Sequence, residues 1–117
     1  MYTISKEFHF SASHRLRGLA EGHPCGRMHG HNYIIIVELQ SYDVDEVGFV
    51  EDYGKLNDIK QYIDNMLDHR HLNDIIAGNP TAENIAKTIY DLFKPVHPYL
   101  VKVSVSETPK TLASYHE

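Results

Sequence analysis

Cysteine, tryptophan and long apolar runs are what this sequence of 117 residues has least of. It contains one cysteine and no tryptophan, and no apolar run approaches the roughly 18 residues that a membrane-spanning helix needs. A single thiol cannot form an internal disulfide bond, which is typical of a reducing compartment and leaves Cys25 available for chemistry. The first residues also lack the apolar segment of a signal peptide. We therefore expect a cytoplasmic protein with no membrane partner.

Basic residues are also in the minority, since 11 Lys and Arg stand against 16 Asp and Glu, for a formal net charge of −5. This balance argues against a nucleic-acid partner, because the phosphate backbone is itself strongly anionic. An anionic small molecule would have to meet a local cluster of basic side chains. The length and a hydrophobic share of 42% predict one domain, residues 1–117, that can bury its own core.

The segment CGRMHGH, residues 25–31, places the only cysteine four residues before a His-Gly-His pair, at the end of a glycine-rich loop over residues 16–28. Side chains two residues apart project from the same face of a strand, so His29 and His31 can reach one ion. Neutral imidazole is a preferred ligand of Zn²⁺, and three protein ligands with an open fourth position are typical of catalytic zinc. The alternative is that the pair is simply the polar surface of a half-exposed strand.

A third imidazole is predicted from the first strand. Apolar and polar residues alternate over residues 2–10, which favours a strand with one buried face. The same parity continues to His14, which makes His14 the favoured third ligand; His9 competes for the role but falls on the polar parity. His69 and His71 form a second His-x-His pair, so a metal site at that pair also stays open.

An apolar run and further alternation predict the other strands of an α+β fold. A strand over residues 31–40 is expected to be followed by a returning hairpin strand at residues 49–51. The valines of residues 101–105 alternate with polar residues, and the next position on the apolar parity is Glu107, so its carboxylate is predicted to point inward. A short tail strand is expected at residues 112–115.

Two amphipathic helices are predicted between these strands, both packed on one face of the sheet. Asp52 is expected to cap the first helix and Thr81 the second, which Pro95 and Pro98 close. The two apolar stripes are expected to consist of Leu56, Ile59, Ile63, Met66 and Leu67, and of Ala82, Ile85, Ala86, Ile89, Leu92 and Phe93. A small sheet leaves open edges, and residues 34–37 are apolar on both parities, so we expect other subunits to cover them.

Five motifs occur in the order of a known family: FSASHRL at 10–16, the cysteine and HGH of 25–31, LDH at 67–69, NPTAEN at 79–84 and SET at 106–108. With these motifs the chain resembles the 6-pyruvoyl-tetrahydropterin synthase family, specifically its bacterial 6-carboxy-tetrahydropterin synthase branch. The resemblance implies the T-fold, or tunnelling fold, in which four-stranded antiparallel sheets with two helices on one face join across subunits into a barrel. It also implies a homohexamer built from two trimers.

The resemblance implies a role for each of the singled-out residues. The implied zinc ligands are His14, His29 and His31. Cys25 would be the general base, and His69, oriented by Asp68, would handle a second proton. Glu107 would grip the pterin ring or close the proton relay, and Thr81 would also meet the pterin.

The implied substrate is 7,8-dihydroneopterin triphosphate. In the carboxy branch it loses triphosphate and its side chain is cleaved, which gives 6-carboxy-5,6,7,8-tetrahydropterin and acetaldehyde on the way to queuosine and other 7-deazapurines. The pyruvoyl branch eliminates triphosphate without cleaving the carbon chain. Outside the family, a non-catalytic zinc-binding or pterin-binding protein is the alternative, although the loop cysteine argues against it.

Simpler roles remain open for several of these residues. Asp68 and His69 could be a helix C-terminus that favours imidazolium, Thr81 could be an N-cap alone, and Glu107 could pair with Lys110 at a strand end. Four arginines are unranked candidates for contacts with the triphosphate: Arg15, Arg17, Arg27 and Arg70.

Overall fold

Four antiparallel strands form one sheet in the order β1-β2-β3-β4 in the computed structural model, which describes all of residues 1–117. Their bounds are Tyr2–His14 for β1, His29–Ser41 for β2, Leu100–Ser106 for β3 and Ala113–His116 for β4. β1 and β2 pair over their whole length, from Tyr2 opposite Ser41 to His14 opposite His29. This register brings the end of β1 to the start of β2, where the HGH segment lies.

Two helical segments connect β2 to β3. The first begins with a 3₁₀ turn at Tyr53–Leu56, continues as α1 at Asn57–Tyr62 and ends in a π turn at Ile63–Leu67, and the second is α2 at Ala82–Phe93. Shorter 3₁₀ turns lie at Pro24–Gly26 and Leu72–Asp74. None of these helices combines the length and apolar character required to cross a bilayer. The predicted α+β fold with two helical segments and four antiparallel strands is confirmed.

The hydrophobic core lies between the helices and one face of the sheet, and 22 buried residues form it. Two residues of the predicted helical stripes are exposed instead, Met66 at 44% and Leu92 at 48%. The π turn adds a residue to its helical turn, which rotates Met66 away from buried Ile63. In α2 the buried stripe passes through Tyr90, which follows Ala86 at the four-residue spacing of one helix face.

The hairpin strand predicted at residues 49–51 is wrong, because that segment pairs with no strand and β2 has β1 and β3 as its neighbours. The carboxylate of Asp45 accepts hydrogen bonds from the backbone N–H groups of Val47, Gly48 and Phe49. These bonds close a compact turn, which occupies the N–H groups that a hairpin would need. Gly48 allows this turn through its positive φ of 102°.

The outer edge of β1 is paired over part of its length by the segment that follows the π turn. Ser11 donates its N–H to the Asp68 carboxylate at 2.9 Å and accepts the N–H of His69 at 2.6 Å. Ser13 donates its N–H to the carbonyl of Arg70 at 3.1 Å. The LDH segment is thereby held against the end of β1 that carries His14.

Candidate metal centre and cavity

Three imidazoles meet where β1 ends and β2 begins. The strand register places His14 directly opposite His29 and Ala12 opposite His31, so all three side chains share the face that the helices cover. One ring nitrogen from each imidazole lies within 4.8 Å of the others. His14 is fully buried, whereas His29 and His31 are half-buried. This separation is suited to three ligands on one ion.

The hydrogen bonds of two of these rings determine which nitrogen is protonated. The Nδ1 atom of His14 lies 2.7 Å from the carbonyl oxygen of Pro80, and that of His29 lies 2.6 Å from the carbonyl oxygen of Arg27. A carbonyl can only accept, so each neutral ring carries its proton on Nδ1 and a bare lone pair on Nε2. The two Nε2 atoms face each other at 2.9 Å. Two lone pairs at this distance repel, and a shared cation removes the repulsion, so the donor set fits a metal ion.

The surroundings of the third imidazole, His31, favour its neutral form. Burial lowers the pKa of His31, although the Glu107 carboxylate opposes this shift, and the other two histidines add to it. Glu107 follows β3 directly, and its Oε2 atom lies 3.7 Å from Nε2 of His31. Glu107 is half-buried and points inward, as the strand parity predicted. The Glu107 carboxylate and the His31 imidazole, which in its neutral form can bind a metal ion, therefore lie on the same wall of the site.

Tyr33 completes this wall and was missed by the sequence analysis. Its ring stacks on Phe10 at 4.7 Å between centroids and meets His14 and His31 edge-on at 6.0 and 5.5 Å. Its hydroxyl is buried without a hydrogen-bond partner. Burial, helped by the negative charge of Glu107, raises the pKa of Tyr33, so the phenol keeps its proton. Tyr33 lies two residues after His31 on the same strand, so the alternation of side chains could have predicted that it faces the site.

A cavity of about 790 Å³ opens beside this wall and is large enough for a heteroaromatic ligand. Its lining is mainly polar and includes His31, Asn32, Asp68 and Glu107, with Tyr33 among its few hydrophobic residues. Such a cavity can hold a ring through directed hydrogen bonds and leave part of the ligand beside the histidine cluster.

Asp68 and His69 form a hydrogen-bonded pair next to the cluster. Asp68 Oδ2 lies 2.9 Å from Nδ1 of His69, and the N–H of Ser11, followed by the contact with His69, lowers the pKa of Asp68. His69 has a positive φ of 58° and a side chain that is 83% exposed. It lines a second, open cavity together with His31 and His71. The pair can exchange a proton with a molecule bound there.

Cys25 occupies the 3₁₀ turn Pro24–Gly26 and is half-buried. Its N–H donates to Nδ1 of His23 at 3.1 Å, and its carbonyl accepts the N–H of Leu16 at 2.9 Å. Cys25 belongs neither to the cluster of three histidines nor to the lining of the Glu107 cavity. The structure thus joins Glu107 to the cluster and places the thiol in an adjacent loop.

The sequence model of the family described as 6-pyruvoyl tetrahydropterin synthase matches residues 3–117. The chain belongs to this family. Bacterial relatives are named 6-carboxy-5,6,7,8-tetrahydropterin synthase: the Bacillus subtilis protein is 31% identical over 97% of this chain and 84% of that protein. The protein of that name from Synechocystis is 36% identical over 98% and 93%. The structure of Caenorhabditis elegans 6-pyruvoyl tetrahydropterin synthase superposes with a TM-score of 0.86 at 30% identity, over 99% of this chain and 95% of that chain.

The family resemblance drawn from the motifs is confirmed, and so is the subunit fold of the 6-pyruvoyl tetrahydropterin synthase family. Within this family member, the competing histidines lie outside the cluster. His9 is exposed and contacts the carboxylate of Glu7 at 2.7 Å. His71 contacts the hydroxyl of Ser13 through Nδ1 at 2.9 Å. Neither lies in the three-histidine cluster.

Thr81 caps α2, as predicted, because its hydroxyl accepts the N–H of Asn84 at 3.1 Å. The candidate arginines fall into two groups. Arg15, Arg17 and Arg27 line a pocket of about 310 Å³ together with His23, whereas Arg70 lines the His69 cavity. The candidate arginines therefore lie in two separate pockets, the first of which also contains Glu21.

Proposed function

We propose that this chain is a zinc-dependent lyase that converts 7,8-dihydroneopterin triphosphate to 6-carboxy-5,6,7,8-tetrahydropterin, acetaldehyde and triphosphate, an early step towards queuosine. The observation that carries the proposal is the pair of bare Nε2 atoms of His14 and His29, 2.9 Å apart, beside a cavity with an inward carboxylate. The names of the bacterial relatives support this branch of the family.

His14, His29 and His31 would hold the ion, and Zn²⁺ suits three neutral imidazoles. When bound, zinc supplies Lewis acidity that polarises a substrate oxygen and makes neighbouring O–H and C–H protons easier to remove. The carbonyls of Pro80 and Arg27 hold two of the ligand rings by their Nδ1–H groups. Such contacts fix the ring orientation and raise the basicity of the coordinating nitrogen.

Cys25, as thiolate, takes a proton from the substrate side chain in this proposal. His69 handles the second proton: its Nδ1–H donates to Asp68, which leaves Nε2 free to exchange a proton with a bound molecule. The exposure of His69 allows the proton to pass to solvent. The loop position of Cys25, with its backbone tied at both N–H and C=O, keeps the thiol at a defined place.

Glu107 and Thr81 bind the pterin in this proposal. The Glu107 carboxylate can accept two parallel hydrogen bonds, from the ring amide N–H and the neighbouring amino group. Rings that lack this donor pair would leave a half-buried carboxylate unpartnered, so they are disfavoured. The Thr81 hydroxyl accepts the Asn84 N–H and still has its own hydrogen to donate to the ligand.

We also propose a cytoplasmic homohexamer of two trimers, in which sheets of neighbouring subunits join into a barrel. The edge strands β1 and β4 support it, because open strand edges are ordinarily covered or paired. A reducing compartment agrees with the single thiol.

The pyruvoyl-forming reaction is the second candidate, and the likeness to the Caenorhabditis elegans structure favours it. The product decides between the two. Purified protein loaded with zinc is incubated with 7,8-dihydroneopterin triphosphate, and mass spectrometry identifies the pterin and any aldehyde. Carboxy-tetrahydropterin with acetaldehyde supports the first proposal and a pyruvoyl product the second. Bound but unchanged pterin contradicts both.

Substitution of Cys25 tests its role in the same assay. We expect Cys25→Ala to lower turnover by at least about 100-fold, the usual contribution of a general base, with unchanged zinc stoichiometry. His29→Ala should instead lose the ion. His116→Ala is the matched control, because His116 is exposed and lies outside both the histidine cluster and the Glu107 cavity, and it should keep both zinc and activity. Full activity of Cys25→Ala would show that another group takes the proton.

A further inference from the structure

Two asparagine side chains continue the paired edge of β1 beyond His14. Asn73 accepts the N–H of Arg15 at 2.8 Å and donates to the carbonyl of the same residue at 2.7 Å. Asn79 makes the same two bonds with Arg17, again at 2.8 and 2.7 Å. Each carboxamide therefore takes the place of a partner residue in an antiparallel ladder, which also exchanges one N–H and one C=O bond.

The backbone of Leu16, which lies between Arg15 and Arg17, faces the opposite side of the chain. Backbone groups alternate in direction along an extended chain, and the N–H of Leu16 donates to the carbonyl of Cys25 at 2.9 Å. Residues 15–17 are thus held on one side by Asn73 and Asn79 and hold the cysteine loop on the other side. The other hydrogen bonds around Cys25 are local to the loop: Cys25 N–H donates to His23 Nδ1, Gly26 N–H to the carbonyl of His23, and Arg27 N–H to the carbonyl of Pro24.

The same stretch of chain also orients a member of the histidine cluster. Pro80 follows Asn79 and accepts the Nδ1–H of His14 at 2.7 Å. The carbonyl of Asn79 accepts a hydrogen bond from the side chain of Asn84 at 2.8 Å, which fastens this stretch to the first turn of α2. Asn79 is therefore held in place by α2, and its own hydrogen bonds to Arg17 in turn hold the backbone of residues 15–17.

We propose that Asn73 and Asn79 are positioning residues that set the place of the Cys25 thiol relative to the histidine cluster through the backbone of residues 15–17. Their hydrogen bonds reach neither Cys25 nor the histidines, so they act only through that backbone. A carboxamide is required because each side chain donates and accepts at once. Aspartate keeps the shape but offers no donor, and it would set a carboxylate oxygen against the carbonyl of Arg15 or Arg17.

The inference rests on the proposed function only in taking Cys25 as the reacting thiol, and its test does not need turnover. Cys25 is the only cysteine, so iodoacetamide reports on one site. The reaction is followed about one unit above the ordinary cysteine pKa of about 8.5, where most accessible thiols are ionised. The variants are Asn73→Asp, Asn79→Asp and the double variant. Asn65→Asp is the control, because Asn65 is exposed and its side chain makes no hydrogen bond within the chain.

We expect alkylation of the half-buried thiol to become about tenfold faster in the double variant and about threefold faster in each single variant, because the loop opens locally more often. Asn65→Asp should match the original protein. If circular dichroism shows that the double variant is unfolded, the two single variants decide by the same criterion. Equal alkylation rates in the original protein and the folded variants overturn the proposal.

Turnover of 7,8-dihydroneopterin triphosphate separates this inference from the proposed function. If the reaction occurs, kcat should fall by a larger factor in the variants than KM rises, since neither Asn73 nor Asn79 lines the Glu107 cavity. A fall in substrate affinity with unchanged kcat contradicts a positioning role for the thiol. If the original protein shows no turnover while the alkylation rates differ as expected, the proposed function fails and the positioning of Cys25 stands.

Discussion

Asp68 joins two parts of the chain that lie 57 residues apart, because its carboxylate accepts the N–H of Ser11. This bond, with the contact to His69, lowers the pKa of Asp68 below its ordinary value. A carboxyl whose pKa is lower in the folded chain stabilises the fold above its unfolded pKa. That contribution disappears as the pH falls through the folded pKa. The residue thus links the acid stability of the protein to the segment that presents His69.

Asp68→Asn is expected to lower the free energy of unfolding at pH 7, because the charge-assisted bond from Ser11 becomes a neutral one. The difference in the free energy of unfolding between the variant and the original protein should shrink as the pH is lowered below about 4, because the carboxyl of Asp68 then begins to be protonated in the unfolded chain. Urea unfolding at a series of pH values measures it. Asp43→Asn is the control, since Asp43 is exposed and its side chain makes no hydrogen bond. A difference that is constant with pH would rule out the ionised carboxylate as its source.

At the scale of single residues, strand parity predicted the direction of two side chains of the site. His14 and Glu107 both continue an apolar parity, and the structure places both beside His31. Parity could not predict that the carbonyl of Pro80 orients the His14 ring, because Pro80 lies 66 residues away. Every residue has a backbone carbonyl, so the sequence does not indicate which one accepts this hydrogen bond. The asparagine bonds to residues 15–17 were hidden for the same reason.

At the scale of elements, α2 depends on its cap. The hydroxyl of Thr81 satisfies the N–H of Asn84, one of the first N–H groups that have no partner within the helix. Thr81→Ala is expected to lower the free energy of unfolding by about 1 kcal/mol, the usual cost of losing such a cap. Thr81→Ser should keep most of it. Chemical denaturation of both variants measures the difference, and equal stability of the alanine and serine variants would show that the hydroxyl does not stabilise the helix.

Periodicity predicted correctly the elements in which one long stretch buries one face, as in β1 and α2, whereas β2 was predicted from a run that is apolar on both parities. Periodicity failed where a single side chain reorganises the backbone. The Asp45 carboxylate binds three successive turn N–H groups, and this prevents the strand expected at residues 49–51. The π turn likewise ends the first helix with the N–H of Asp68 bonded to the carbonyl of Ile63, a wider turn than the 3.6-residue pattern assumes.

At the scale of the whole molecule, the outer edge of β1 is divided into two parts. The N–H groups of Ser11 and Ser13 are bonded within the chain. Backbone N–H groups of alternate residues in a strand point to opposite sides. Like those of Ser11 and Ser13, the N–H groups of the odd-numbered residues from 3 to 9 therefore point away from β2, and they have no hydrogen-bond partner within the chain. The proposed barrel would therefore use the first half of β1 for pairing with another subunit, and the second half belongs to the site.

Ser5→Pro tests this division. Proline removes the N–H on the open edge, and an edge strand tolerates it there, so we expect a folded subunit that no longer assembles. Ser13→Pro is the matched change, because it removes an N–H that the chain itself uses, and it should destabilise the subunit. Light scattering after size exclusion gives the mass, and circular dichroism gives the fold. A Ser5→Pro protein of unchanged hexameric mass would show that this edge does not join subunits.

The bond between His14 and Pro80 also bears on the order in which the protein is made. β1 and β2 both precede Pro80 in the chain, so during synthesis all three histidines emerge well before the carbonyl that orients the first of them. Until the start of α2 has docked, His14 can turn its ring and its Nδ1–H can bond to water. In the emerging chain one of the three ligands proposed for zinc is therefore not yet oriented, and the proposed site would be complete only after the start of α2 has docked.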